Sequence, residues 1–83
     1  MYEVYILKDM EWKYFDSTDN LQKLDIIVYK LTEHKEIIQI LQDEKELCCL
    51  NGTLYQYWWF KNKFIRNRKL GYDYVKSFKK GSE

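Results

Sequence analysis

Few side chains in this chain could act as nucleophile or base. His34 is the sole histidine. Pairing it with Cys48, Cys49, Ser17 or Ser77 would give a couple in which the imidazole takes the proton of the attacking group. His34, however, lies among Glu33, Lys35 and Glu36, a charged run that reads as solvated surface between elements. The glycines, Gly52, Gly71 and Gly81, are scattered, so no phosphate-cradling loop exists. Carboxylates are plentiful, but paired catalytic carboxylates and a solvated acidic face look the same in sequence. One histidine and two adjacent cysteines fall short of a zinc ligand set. Cys48 and Cys49 also lack a CxxC spacing, and a ring closed between neighbours is strained, so both read as structural thiols. A chain of 83 residues has little room for a core plus a pocket of ~300 Å³. The expectation is a non-enzyme with no metal and no cofactor.

Recognition chemistry is better represented. Residues 1–50 hold eleven Asp/Glu against six Lys, a balance of −5, whereas residues 51–83 hold eight Lys/Arg against two acids, a balance of +6. The net charge of +1 conceals this split, and sign asymmetry between halves points to partners where net charge does not. The basic half also carries nine of the fifteen aromatic residues. If 53–68 is helical, Tyr55, Trp59, Asn62, Lys63 and Arg66 recur at i, i+4, i+7, i+8 and i+11 and share an outward face. Trp, Tyr and Arg are the residues that anchor protein interfaces. Rings that stack bases beside cations that meet phosphates also describe single-stranded nucleic-acid sites. The five residues are therefore the expected partner site, with a protein as the expected partner and single-stranded nucleic acid as the alternative. Asp19, Asp25, Glu33, Glu36, Asp43, Glu44 and Glu46 suggest a second, acidic face across one or two helices, diluted by six lysines into a mixed-charge surface. Opposed halves also permit head-to-tail self-association.

These residues must be positioned by short elements. Residues 2–8 and 12–15 are β-branched and aromatic, with Asp9-Met10-Glu11 between them, which predicts an N-terminal β-hairpin that needs something packed on one face. Asp16-Ser17-Thr18-Asp19 offers helix-capping side chains. Behind it Leu21, Leu24, Val28 and Leu31 recur at i, i+3, i+7 and i+10, which predicts an amphipathic helix over 19–32. Over 34–50, Ile37, Ile38, Ile40, Leu41, Leu47 and Cys48 fit a helical stripe among good helix formers, with Asn51-Gly52 as its stop. The rival is a hairpin pairing Leu47–Leu50 with Thr53–Tyr57 across Asn51-Gly52. Residues 53–68 also read both ways. As a helix they place Leu54, Tyr57, Trp58, Phe64 and Ile65 on the core side; as a strand, Leu54, Trp58 and Phe60 alternate with Tyr55, Tyr57 and Trp59. Tyr72–Lys80 is expected to be a short helical or extended tail-piece with Tyr74, Val75 and Phe78 available for packing, and the chain is expected to fray from about residue 80.

The fold class expected is α+β: an N-terminal β-hairpin packed against two to four short helices, in a single domain over 1–83. The longest apolar runs, 26–29 and 57–60, are far shorter than the ~20 residues of a membrane span. The first residues lack the basic and apolar stretches of a signal peptide. A cytoplasmic protein is therefore expected, with no membrane partner. The chain has no Ala or Pro and is rich in Lys, Ile, Tyr and Asn. That usage follows an A/T-rich genome, in which short proteins of phages and mobile elements are common. The functional expectation is a small binding protein that modulates or inhibits a larger partner, an accessory protein of such an element.

Overall fold

The computed structural model describes residues 1–71. The expected tail-piece over 72–80 and its frayed end lie outside the described residues. The elements are β1 (Tyr2–Lys8), β2 (Glu11–Thr18), α1 (Leu21–Glu33), β3 (Ile38–Gln42), β4 (Lys45–Leu50), α2 (Leu54–Trp59), a π-helical segment (Phe60–Ile65) and α3 (Arg66–Lys69). The last three run on without interruption as one C-terminal helix. The strands form one sheet in the order β2-β1-β3-β4, every neighbouring pair antiparallel. The class is α+β, and the N-terminal hairpin packs against helices as the sequence predicts.

Side-chain alternation along the strands divides the sheet into two unlike faces. The register pairs Val4 with Ile40, Ile6 with Ile38, Ile38 with Leu50 and Ile40 with Cys48. Val4, Ile38, Ile40, Cys48 and Leu50 are fully or almost fully buried. Against them pack Leu24, Val28 and Leu31 of α1 and Trp59, Phe60, Phe64 and Ile65 of the C-terminal helix. Both helices thus cover the same face, and the molecule has two layers.

Local chemistry fixes each junction. Asp9 and Met10 take φ of 52° and 67°, the left-handed pair that a two-residue hairpin turn requires. Asn20 caps α1 by accepting from the Lys23 amide at 3.0 Å, so the cap falls one residue beyond the predicted Ser/Thr/Asp cluster, which β2 occupies through Thr18. At the other end the Glu36 amide reaches the Leu31 carbonyl and the Lys35 amide reaches Thr32, with Lys35 at φ 56°. This is a Schellman closure carrying Lys where Gly is usual.

Residues 34–50 correct the predicted helix. They form the β3–β4 hairpin, whose turn is Asp43-Glu44 at φ 54° and 66°. The rival hairpin across Asn51-Gly52 is corrected too, because β4 pairs backwards with β3 and Thr53 opens a helix instead. Asn51 Oδ1 accepts from the Thr53 amide and hydroxyl, and Thr53 Oγ1 accepts from the Gln56 amide. The Gln56 side chain reaches back to the Asn51 amide at 2.7 Å. Gly52, at φ 83°, lies against the Schellman turn: a Cβ there would fall 2.7 Å from the Glu36 carbonyl oxygen. The end of α1 and the start of α2 are therefore locked together.

The Leu21/Leu24/Val28/Leu31 stripe faces the core as predicted, with Leu24 and Val28 fully buried and Leu21 half-buried. Leu24→Ala is expected to cost about 2–4 kcal/mol, the usual range for emptying a buried leucine site. Chemical denaturation measures it, and an unmoved midpoint would show that α1 does not hold the sheet.

Candidate functional site

The C-terminal helix carries every predicted site residue, and its geometry departs from a regular α-helix. In an α-helix, residues five apart lie roughly 140° from one another. A π segment fits an extra residue into the turn and sets the helix back by about one position. Trp59 is thereby brought above Phe64, and Phe60 above Ile65. All four are buried, and the Phe60 and Phe64 rings stack at 5.3 Å and 14°. Asn side chains bond carbonyls along this stretch: Asn62 Nδ2 donates to the Trp58 carbonyl at 2.9 Å, and Asn67 Nδ2 to that of Lys63.

This offset reverses the predicted roles of the two adjacent tryptophans. Trp59, expected on the partner face, is 9% exposed and belongs to the core. Trp58, expected in the core, is 59% exposed, and Leu54 is 67% exposed. Of the other predicted site residues, Tyr55, Lys63 and Arg66 are exposed and Asn62 is half-buried. Asn62 and Arg66 come together along a groove with Asp25, Lys61, Lys69 and Leu70, enclosing about 320 Å³. Tyr55 and Lys63 do not line it.

A second groove, of about 390 Å³, continues from the first through Asp25 and Lys61. It runs between α1 and the C-terminal helix and is walled by Ile26, Tyr29, Lys30, Glu33 and Tyr57. Tyr57 ties the two helices together. Its hydroxyl donates to Asp25 Oδ1 at 2.7 Å, and its ring lies 5.3 Å from that of Tyr29. Burial, reinforced by the bond to Asp25, raises the Tyr57 phenol well above its ordinary value of 10.0. The two shallow grooves thus present Ile26, Tyr29 and Leu70 with Lys30, Lys61, Arg66 and Lys69 among them, and Trp58 is exposed on the same C-terminal helix outside their linings. The sequence reading leaves Tyr29 and Lys61 out of the partner site and gives Asp25 to the acidic face; Asp25 and Tyr29, at i and i+4, share a flank of α1 beside its apolar stripe.

The remaining candidates are dispersed. His34 is exposed at the end of α1, with Nδ1 3.2 Å from the Lys30 carbonyl oxygen. Ser17 Oγ accepts from the Tyr14 hydroxyl, and Ser77 lies outside the described residues. Cys48 is buried and Cys49 half-buried; burial foremost, then the neighbouring Cys49 and Glu46, pushes the Cys48 thiol far up, keeping it protonated. The predicted acidic face is corrected: Asp43, Glu44 and Glu46 belong to the β3–β4 hairpin, Glu36 pairs with Lys8 at 2.9 Å, and Asp25 lies on the outer side of α1. Among the described residues, no group of three or more His, Cys, Asp or Glu is close enough to hold a metal ion. Nor is any helix there long and apolar enough to cross a membrane. In comparison with known proteins, no family model matches the chain, and neither a curated protein nor a solved structure matches it.

Two outcomes follow from this geometry. Trp59→Ala is expected to cost about 3–5 kcal/mol, and Trp58→Ala to leave the thermal midpoint almost unchanged. Equal losses would contradict the π offset. The second concerns alkaline pH. A phenol raised in the folded state favours the native chain fully below about pH 10 and loses that contribution as pH climbs toward the folded value. Tyr57→Phe is therefore expected to flatten the fall of stability above about pH 10, as read by denaturation at a series of pH values.

Proposed function

We propose that this chain is a small non-enzymatic binding module that modulates or inhibits a larger protein partner through the outer side of its helical layer. The observation that carries this reading is the exposure of large side chains on the helical layer: Ile26 at 53%, Tyr29 at 43% and Leu70 at 65% along the grooves, and Trp58 at 59% on the C-terminal helix. Single exposed apolar residues are ordinary, but a run of them beside grooves marks an interaction surface. Trp, Tyr and Arg are the residues on which interface energy concentrates, and Trp58, Tyr29 and Arg66 supply one of each. Of the residues first assigned to the site, Asn62 and Arg66 line the grooves, Tyr55 and Lys63 are exposed on the same helix outside them, and this reading puts exposed Trp58 in the place of Trp59. The proposed setting, an accessory protein of a phage or mobile element acting in a host cytoplasm, draws on the A/T-rich residue usage.

A second reading, weak binding of single-stranded nucleic acid, is favoured by Lys61, Lys63, Arg66 and Lys69, all exposed along one helix. Affinity capture from a host lysate, compared between wild type and Trp58→Ala, tests both. A protein partner anchored on Trp58 is expected to lose about 2 kcal/mol or more of binding, roughly 30-fold, and to respond little to salt. Nucleic acid held by three or four phosphate contacts is expected to weaken roughly 10- to 100-fold between about 50 and about 200 mM salt. Equal recovery of the same partner by the Trp58 variant would place the site elsewhere.

A further inference from the structure

Among the described residues, β2 is one edge of the sheet, and its side chains from Glu11 to Asp16 are all exposed, Trp12 at 39% and Tyr14 at 58%. The backbone groups of this edge follow from its register. In an antiparallel ladder, pairs that exchange hydrogen bonds alternate with pairs that turn their N–H and C=O groups outward. Lys8 and Glu11 flank the two-residue turn and form a bonded pair, so Leu7 and Trp12 form the outward-turned pair next to it. The Leu7 amide agrees, since it reaches away from β2 to the Ile37 carbonyl at 3.0 Å. The Trp12 N–H and C=O therefore point off the edge, and those of Tyr14 do the same two residues on. Beyond Tyr14 the register slips between Val4 and Tyr5, and Phe15 is the extra residue of a bulge.

An edge that offers its backbone is a template for another strand, and a lysine on it is a common obstacle. Lys13 stands on this edge, but Glu11 lies on the same side of the strand, with Oε1 3.6 Å from Lys13 Nζ. We propose that β2 pairs antiparallel with β2 of a second copy of this chain, about a two-fold axis at Trp12, so that the two sheets become one. The charges choose both occupant and register. An incoming strand must set an acid against Lys13 and a base against Glu11, and β2 itself does both. With Trp12 opposite the second copy's Trp12, each Lys13 faces the other copy's Glu11, and the four charges alternate in sign. With Trp12 opposite Tyr14, the two lysines would stand directly against each other, which opposes pairing. With Tyr14 opposite Tyr14, the bulges would fall inside the ladder.

The length of the ladder sets the strength. The turn at Asp9-Met10 bounds it on one side and the bulge at Phe15 on the other, so the pairing centres on residues 11–13. So short a contact falls far below the ~1,600 Å² of a standard interface, and the association is weak, with a dissociation constant of about 0.1–1 mM. The same edge of both copies is used up by one two-fold contact, so pairing stops at a dimer. Neither groove of the helical layer takes part, and the proposal stands or falls apart from the binding-module reading.

Sedimentation velocity of the full chain at low salt, from about 20 μM to about 2 mM, tests it across the range expected of so small a contact. Average mass is expected to rise from that of a monomer toward that of a dimer and no further. Over the same range the Trp12 amide, followed by NMR, is expected to exchange its hydrogen more slowly as concentration rises. Lys13→Glu and Glu11→Lys each set like charges against one another, and each is expected to weaken the dimer at least about 10-fold. Mixed in equal amounts, the two variants are expected to form a heterodimer at least as tight as the wild-type dimer, because one copy then carries two acids where the other carries two bases. Trp12→Pro removes an outward N–H without removing a bond to β1, and is expected to abolish the dimer while the chain stays folded. A monomer at every concentration would overturn the proposal. So would a dimer that leaves Trp12 amide exchange unchanged, a mixture no tighter than its components, or growth past a dimer. Should a variant lower the thermal midpoint, the wild-type mass and exchange measurements decide the matter without it.

Discussion

The packing of one C-terminal helix onto one face of a small sheet is the contact on which the rest of this structure depends. A chain of this size buries only about 60–65% of the surface it exposes when unfolded, so a few large side chains must supply most of its core. Phe60 and Phe64 are fully buried, and Trp59 and Ile65 nearly so. Together they set three rings and an isoleucine in the core beneath the sheet. At the far end Arg68 holds the helix down. Its guanidinium lies 5.0 Å from the Phe64 ring centroid, and Nη1 donates to Gln42 Oε1 at 3.2 Å. The π segment is what makes this possible. A regular α-helix has no way to turn residues 59, 60, 64 and 65 toward one sheet, and the extra residue in the turn does so at the cost of helical regularity.

The junctions show the same economy. Both hairpins turn on two consecutive non-glycine residues in the left-handed region, Asp9-Met10 and Asp43-Glu44. Asp tolerates that conformation, but Met10 and Glu44 take it at a cost of order 1 kcal/mol, which strand pairing on either side must offset. Lys35 takes the same conformation at the end of α1. The glycine that could have relieved one of these positions serves elsewhere. Gly52 lets the β4–α2 connection approach the Lys35–Glu36 backbone more closely than any side chain would permit. The resulting contact couples the two helices at their ends, as Tyr57 and Asp25 couple them along their lengths.

What could be read from the sequence followed the length of each pattern. The α1 stripe extends over three turns and was legible, as was the first hairpin, where both strands are rich in rings and β-branched residues. The second hairpin was not. Ile38 and Ile40 alternate correctly for a strand, but the element is five residues long, and Glu, Lys and Gln around it favour helix. Its turn lacks the Asn-Gly or Asp-Gly pair that announces a hairpin, while the Asn51-Gly52 pair that does occur feeds a helix cap. The inward and outward assignment of Trp58 and Trp59 failed for a different reason. It presumed about 100° per residue through a stretch where the helix is wound otherwise. A π turn has no compositional signature, so only the mismatch between the buried set 59, 60, 64, 65 and an α-helical period could have revealed it.

Among the described residues, the charge split of the sequence becomes a split in space because the helix that carries Lys61, Lys63, Arg66 and Lys69 lies on one side of the sheet. The conversion is incomplete, and the exception bears on what the helical face prefers to meet. Asp25 lines both grooves, its carboxylate held by the Tyr57 hydroxyl, and Glu33 joins it at one end. A phosphate chain laid along the grooves would gain from Lys61, Arg66 and Lys69 but would be repelled where the grooves meet. A protein surface suffers no such conflict. It can set a donor against Asp25 and an acceptor against Lys61 while its apolar part covers Trp58 and Tyr29. The alternation of sign along the grooves therefore weighs toward a partner with mixed charge and a fixed shape, and against a uniformly anionic strand.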